Sequence, residues 1–188
     1  MKGQYEMGSN NIAKWDTTII SDTSFLGKYG YDDTDRFLNF VSYEKFKNHS
    51  FLDSSILYYT SLRDSSLVEP LAIPNLNLQN HKYIKNTGIF MRENYSLLGL
   101  SRRDGNGYTR ASADIQLEKN WKTESGLFVE GTGQLRSSFY KETNTVSTND
   151  ILKVYPLVAL EFNFPLIKVL NDRQEIIKPV AQLVYSSD

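Results

Sequence analysis

The 188 residues carry 21 Lys and Arg against 22 Asp and Glu, a formal net charge of −1 with both signs scattered along the chain. That balance offers no basic stripe, so nucleic acid is not expected as a partner. The absence of cysteine rules out a disulfide framework and a thiolate metal site in this stretch. Hydrophobic residues make up only 40%, yet aromatics reach 13%, chiefly 12 Tyr and 10 Phe, which suits a β-rich surface meeting an interface. No apolar run approaches the ~20 residues of a membrane-spanning helix. The opening Met-Lys-Gly-Gln-Tyr-Glu has no apolar core of a secretory signal. A place in the outer membrane therefore requires this stretch to be an internal fragment or the product of a truncated gene.

Helical periodicity is missing throughout, and the chain reads as strands joined by polar turns. A strand near Ala13–Ile20 leads into an Asp/Gly-rich loop, Ser21–Asp35, followed by strands at Arg36–Phe46 and Phe51–Leu62 around Lys47-Asn48-His49-Ser50. Pro70–Gln79 contains two prolines and reads as a strand end or an edge. Further strands are predicted at Thr87–Leu98, Arg110–Lys122, Gly126–Tyr140, Lys153–Phe164 and Glu175–Tyr185. The total is about nine, many around ten residues or longer against a usual ~5–6. Short connections such as Thr123–Ser125 alternate with longer polar ones, Arg102–Gly107 and Lys141–Asp150, as they do in bacterial membrane barrels.

Between Arg110 and Tyr140 the residues sort onto two faces with the period of two that defines a strand. Ile115, Leu117, Trp121, Leu127, Val129, Leu135 and Phe139 share one parity and are the lipid-facing candidates. Arg110, Asp114, Glu118, Glu130 and Arg136 share the other and are the lumen-facing candidates. Their mixed signs suit a hydrated or protein-filled lumen better than the like-charge ring of an ion-selective pore. The same pattern also describes the solvent face of an ordinary sheet.

Gly131 and Gly133 fall on the apolar parity, where a bend that helps a curved sheet close is the favoured reading and room for a bulky neighbour the other. Trp121, at the end of its stripe, would sit at a membrane interface or at a core edge. His49 and His81 read as solvated turn histidines without a catalytic constellation. Asp22, Asp32, Asp33 and Asp35 read as a polar loop whose spacing does not match a calcium-binding register. No catalytic residue, cofactor or metal site is assigned, and an enzyme is not expected.

Several phrases resemble the lipopolysaccharide-assembly proteins of the LptD, or organic-solvent-tolerance, family. They are Trp15-Asp16 leading to Ser21-Asp22-Thr23-Ser24-Phe25-Leu26 and Tyr29, then Pro70-Leu71-Ala72-Ile73-Pro74, Tyr155-Pro156, Glu161–Leu166 and Ile177–Tyr185, in family order from Trp15 to Tyr185. Lys178 departs from the acidic or neutral residue more usual there. The resemblance implies an all-β, antiparallel transmembrane β-barrel in the cell outer membrane, of which residues 1–188 would be an early-to-middle fragment lacking the N-terminal jelly-roll and later strands. It implies lipopolysaccharide transport into the outer leaflet, with lipopolysaccharide, a plug lipoprotein, a periplasmic lipopolysaccharide-bridge protein and outer-membrane lipid as partners. A porin or uptake barrel, and a soluble β-sandwich binding module, remain the alternatives.

Overall fold

The computed structural model describes residues 1–18, 28, 36–61, 69–143 and 150–187. The expected loop Ser21–Asp35 with its four aspartates, Ile19 and Ile20, Leu62 and most of the Lys141–Asp150 connection lie outside the described residues. Within them every element is a strand: β1 (Lys2–Glu6), β2 (Asn11–Asp16), β3 (Arg36–Lys47), β4 (Ser50–Ser61), β5 (Leu71–Ile84), β6 (Ile89–Ser101), β7 (Gly107–Lys122), β8 (Phe128–Thr143), β9 (Asp150–Asn163), β10 (Leu166–Val169), β11 (Gln174–Ile177) and β12 (Val180–Ser186). Ten of them form one antiparallel sheet in the order β1-β2-β3-β4-β5-β6-β7-β8-β9-β12, while β10 pairs only with β11. No helix among the described residues is long and apolar enough to cross a membrane. The expected antiparallel all-β class stands, but with twelve strands in place of about nine.

Three differences from the sequence expectation have identifiable causes. β1 is polar on both faces, so periodicity does not reveal it; its pairing with β2 does, with Gly3 opposite Trp15. The indole of Trp15 fills the space a Cβ at Gly3 would take, so a long aromatic side chain supplies the packing that the glycine lacks.

β5 is an interior strand between β4 and β6, although its prolines were expected at a strand end or an edge; Pro70 does precede the strand, but Pro74 lies within it. Opposite it, Ser55 pairs with Asn75 and Leu57 with Ala72, so Ile73 and Pro74 bulge out where β4 offers only Ile56. A bulge is a position where a proline's missing N–H costs the ladder little. On the β6 side the bulged carbonyl of Ile73 presses against Gly99, where an added Cβ would fall well inside contact distance of that oxygen.

The predicted strand Glu175–Tyr185 is split into β11 and β12 at Lys178-Pro179. Asn163 pairs with Val180 and Leu166 with Ile177, so one register runs through β9–β12 and β10–β11 alike. Phe164 N–H still donates to Pro179 O at 3.2 Å. Pro165 and Pro179, which have no N–H to give, interrupt what is geometrically a single long hairpin. Leu170 N–H donates to Arg173 O at 2.8 Å and closes its tip around Asn171-Asp172.

Contacts divide the residues into two units. The first holds Met1–Asn80, Asn94–Ser112 and Ser138–Lys153, and the second His81–Glu93, Ala113–Ser137 and Val154–Asp188. Neither has the interior of a globular domain. Among the described residues the only buried apolar side chains are Ala72 and Ala159, whereas a chain of this size ordinarily encloses a contiguous core.

The bulge makes a sharp prediction about glycine. Gly99→Ala should destabilise the fold by about 1–3 kcal/mol, because a backbone carbonyl cannot turn aside as a side chain can. Gly133→Ala, with nothing within 4 Å of its added Cβ, should stay within about 0.5 kcal/mol of the unaltered chain. Urea titration of both variants reads the contrast.

Candidate functional site

In the second unit the β7–β8 turn sets the arrangement. Thr123 N–H donates to Leu127 O at 2.9 Å, and Leu127 N–H donates to Thr123 Oγ1 at 3.1 Å. With the turn closed in this way, Asp114 accepts from Arg136 Nε at 3.0 Å and from Gln134 Nε2 at 2.7 Å. Arg136 Nη2 adds an ion pair at 3.0 Å. Two residues further along the same parity, Glu118 accepts from Gln116 Nε2 at 2.8 Å and pairs with Arg92 of β6. The side-chain carboxylates are the better enclosed members of each pair, and the guanidinium groups lie outermost.

Of the five lumen-facing candidates, the structure therefore brings Asp114 and Arg136 together and gives Glu118 a different cation. Glu130 is exposed and has no partner among the described residues. Arg110 belongs to the first unit, in a recess of about 360 Å³ with Tyr108, Tyr140, Glu142, Ile151 and Lys153. Its Nε is buried there without a hydrogen-bond partner. Arg92 was not anticipated; extending the alternation into the predicted strand Thr87–Leu98 would have placed Arg92, Asn94 and Ser96 on one parity. Ser96 Oγ and Ser112 Oγ lie 2.6 Å apart.

On the other parity, Leu117, Trp121, Leu135 and Phe139 are exposed, Leu135 by 47% of its surface, and Ile115 and Val129 are half-buried. Leu127 departs from its expected place in the strand wall: it closes the turn before β8. Gly131 also departs from expectation. A Cβ there would lie 2.8 Å from Cζ3 and 2.9 Å from Cη2 of Trp121. The glycine thus makes room for the indole, and the favoured reading of a bend is replaced by the reading of a bulky neighbour. At Gly133 the space is open.

The first unit repeats the same division. Lys14 Nζ donates to Glu44 Oε1 at 2.5 Å, and Glu44 stands directly opposite Asp53 in the β3–β4 register. Two carboxylates facing each other across strands repel, and Lys14 from β2 offsets that. Asn75 Nδ2 donates to Ser55 Oγ at 2.8 Å on the same parity. On the opposite parity Val41 pairs with Ile56, and both are exposed. His81, expected in a turn, lies within β5 with its ring 6.1 Å from that of Phe90, while His49 is in the β3–β4 turn as expected.

No protein-family model matches the chain, and no curated protein matches it.

The Asp114–Arg136 pair can be weighed by a double-mutant cycle. Because the Arg136 side chain is 59% exposed, the coupling should be only about 0.2–1 kcal/mol. It should shrink as salt is added. Asp114→Ala alone should cost more than the coupling, since Gln134 loses its acceptor as well.

Proposed function

We propose that this chain forms wall of an outer-membrane β-barrel, with the parity of Leu117 and Leu135 toward lipid and the parity of Asp114 and Glu118 toward a hydrated lumen. The observation that carries this is the pairing of an exposed apolar face with a hydrogen-bonded polar face on strands of 12–16 residues, β3 to β9. In water the apolar parity would need a second layer to cover it. Bilayer hydrocarbon covers it without one, and only fully paired backbone is tolerated there.

Connections add support. After β1, β3, β5 and β7 they span residues 7–10, 48–49, 85–88 and 123–127, so these neighbouring antiparallel strands are joined by short turns. Short turns between successive antiparallel strands are a barrel habit. The mixed charges of the polar parity, with Asp114–Arg136 and Glu118–Arg92 closed into pairs, suit a lumen that holds water or a partner protein. The task we assign to the barrel is placing lipopolysaccharide in the outer leaflet, with a plug lipoprotein inside and a periplasmic bridge protein delivering the lipid. That assignment rests on the ordered phrases from Trp15 to Tyr185 that resemble the LptD family. β1 and β12, at the two ends of the strand order, would each need a further strand beside them in hydrocarbon.

A charge placed at mid-strand tests the wall. Leu135→Arg should weaken insertion into vesicles by about 2–4 kcal/mol, whereas Glu130→Ala should leave it unchanged. Equal tolerance at the two positions would sink the assignment of faces. For the lipid task, depletion of the protein in its own bacterium should lower the lipopolysaccharide labelled at the cell surface; ion conductance with normal surface lipopolysaccharide would point to a pore.

A further inference from the structure

On the apolar parity of β7, one residue breaks the pattern: Lys119 stands between Leu117 and Trp121. It is half-buried, its Nζ lies 5.5 Å from the centroid of the Trp121 ring, and it has no carboxylate partner among the described residues. Beside it lies an open groove of about 390 Å³ within the second unit, walled by Leu117, Trp121, Val158 and Leu160 and floored by Gly131 and Gly133. The groove's lower volume limit for a ligand cleft, ~300 Å³, is met. Its walls are hydrocarbon and ring, and Lys119 is among the residues lining it.

We infer that this groove is a binding site for an anionic phospholipid, one acyl chain lying over Gly133 beside the Trp121 indole and the phosphate on Lys119. The inference rests on the membrane-wall reading. A lysine among apolar side chains is retained at little cost only near a bilayer interface, where its stem lies along the hydrocarbon and its ammonium reaches the headgroups. Trp121, next to the β7–β8 turn, marks that depth, because indoles collect at the interface. The cation–π contact holds the ammonium over the ring while leaving its charge unneutralised. An unpaired cation at headgroup depth, beside an apolar trough open at Gly133, matches an amphiphile with a negative head and a hydrocarbon tail.

Brominated lipids supply the test. The chain has two tryptophans, so Trp15→Phe leaves Trp121 as the reporter. The full chain is reconstituted in phosphatidylcholine vesicles containing the same mole fraction of either brominated phosphatidylglycerol or brominated phosphatidylcholine. Phosphatidylglycerol should quench Trp121 about fivefold more effectively, the attraction of roughly one lysine for an anionic lipid. Lys119→Gln should abolish the preference, and Gly133→Leu, which fills the trough, should reduce quenching by both lipids. Native mass spectrometry of the chain with both tryptophans in place repeats the comparison, with retained phosphatidylglycerol exceeding phosphatidylcholine until Lys119→Gln removes the difference. Equal quenching by the two lipids, a preference that survives Lys119→Gln, or unchanged quenching in Gly133→Leu overturns the site while the wall reading stands. Absence of quenching by either lipid overturns the wall reading, and the site with it.

Discussion

Side chains leave a strand alternately on opposite faces, and in this protein nearly every other feature follows from how the two faces are satisfied. The backbone groups are consumed by the ladder between strands, which leaves the faces to find their own partners. The polar one finds them within itself, Asp114 with Arg136 and Gln134, Glu118 with Arg92 and Gln116, Lys14 with Glu44. The apolar one does not: Ala72 and Ala159 are the only apolar residues buried among those described. The apolar parity therefore lies open along the strands, with Val41, Ile56, Leu117 and Leu135 exposed.

Two kinds of residue that ordinarily weaken strands are accommodated by specific neighbours. Gly3 and Gly131 each lie beneath a tryptophan of the adjacent strand, so the pleat is filled by an indole where a side chain is missing. Trp15 borders the connection after β2 and Trp121 the turn after β7, so both indoles sit at strand ends. Pro74 occupies a bulge that its neighbour Gly99 leaves space for, and Pro165 and Pro179 interrupt a hairpin whose register continues unbroken on both sides.

Beyond the prolines, β10 and β11 carry Ile167, Val169, Ile176 and Ile177 with most of their surface exposed. Directly opposed Ile167 and Ile176 share a face with Val169. Lys168 opposes Glu175 on the other face, where Arg173 also pairs with Glu175 at 3.2 Å. Leu166 and Ile177, opposed to each other, lie exposed on that charged face too, so the hairpin separates its apolar and charged residues less completely than the sheet does.

Much of the strand pattern was legible from the residues alone, because period two is a local property that survives whatever the strand packs against. Arg36 to Lys47, Ser50 to Ser61 and Gly107 to Lys122 fall close to where alternation places them, and the polar parity of Asp114, Glu118 and Arg136 was visible before any partner was known. β1 was not, since a strand polar on both faces has no periodic signal and exists through its pairing with β2. Nor was the interior position of β5, because whether a proline sits at an edge or a bulge depends on the strand opposite it. The sequence by itself determined which residues share a face. Only the tertiary structure decided who meets across strands, setting Arg92 against Glu118 and Trp121 over Gly131, because register joins residues far apart in the chain and a slip of one position would exchange the faces altogether.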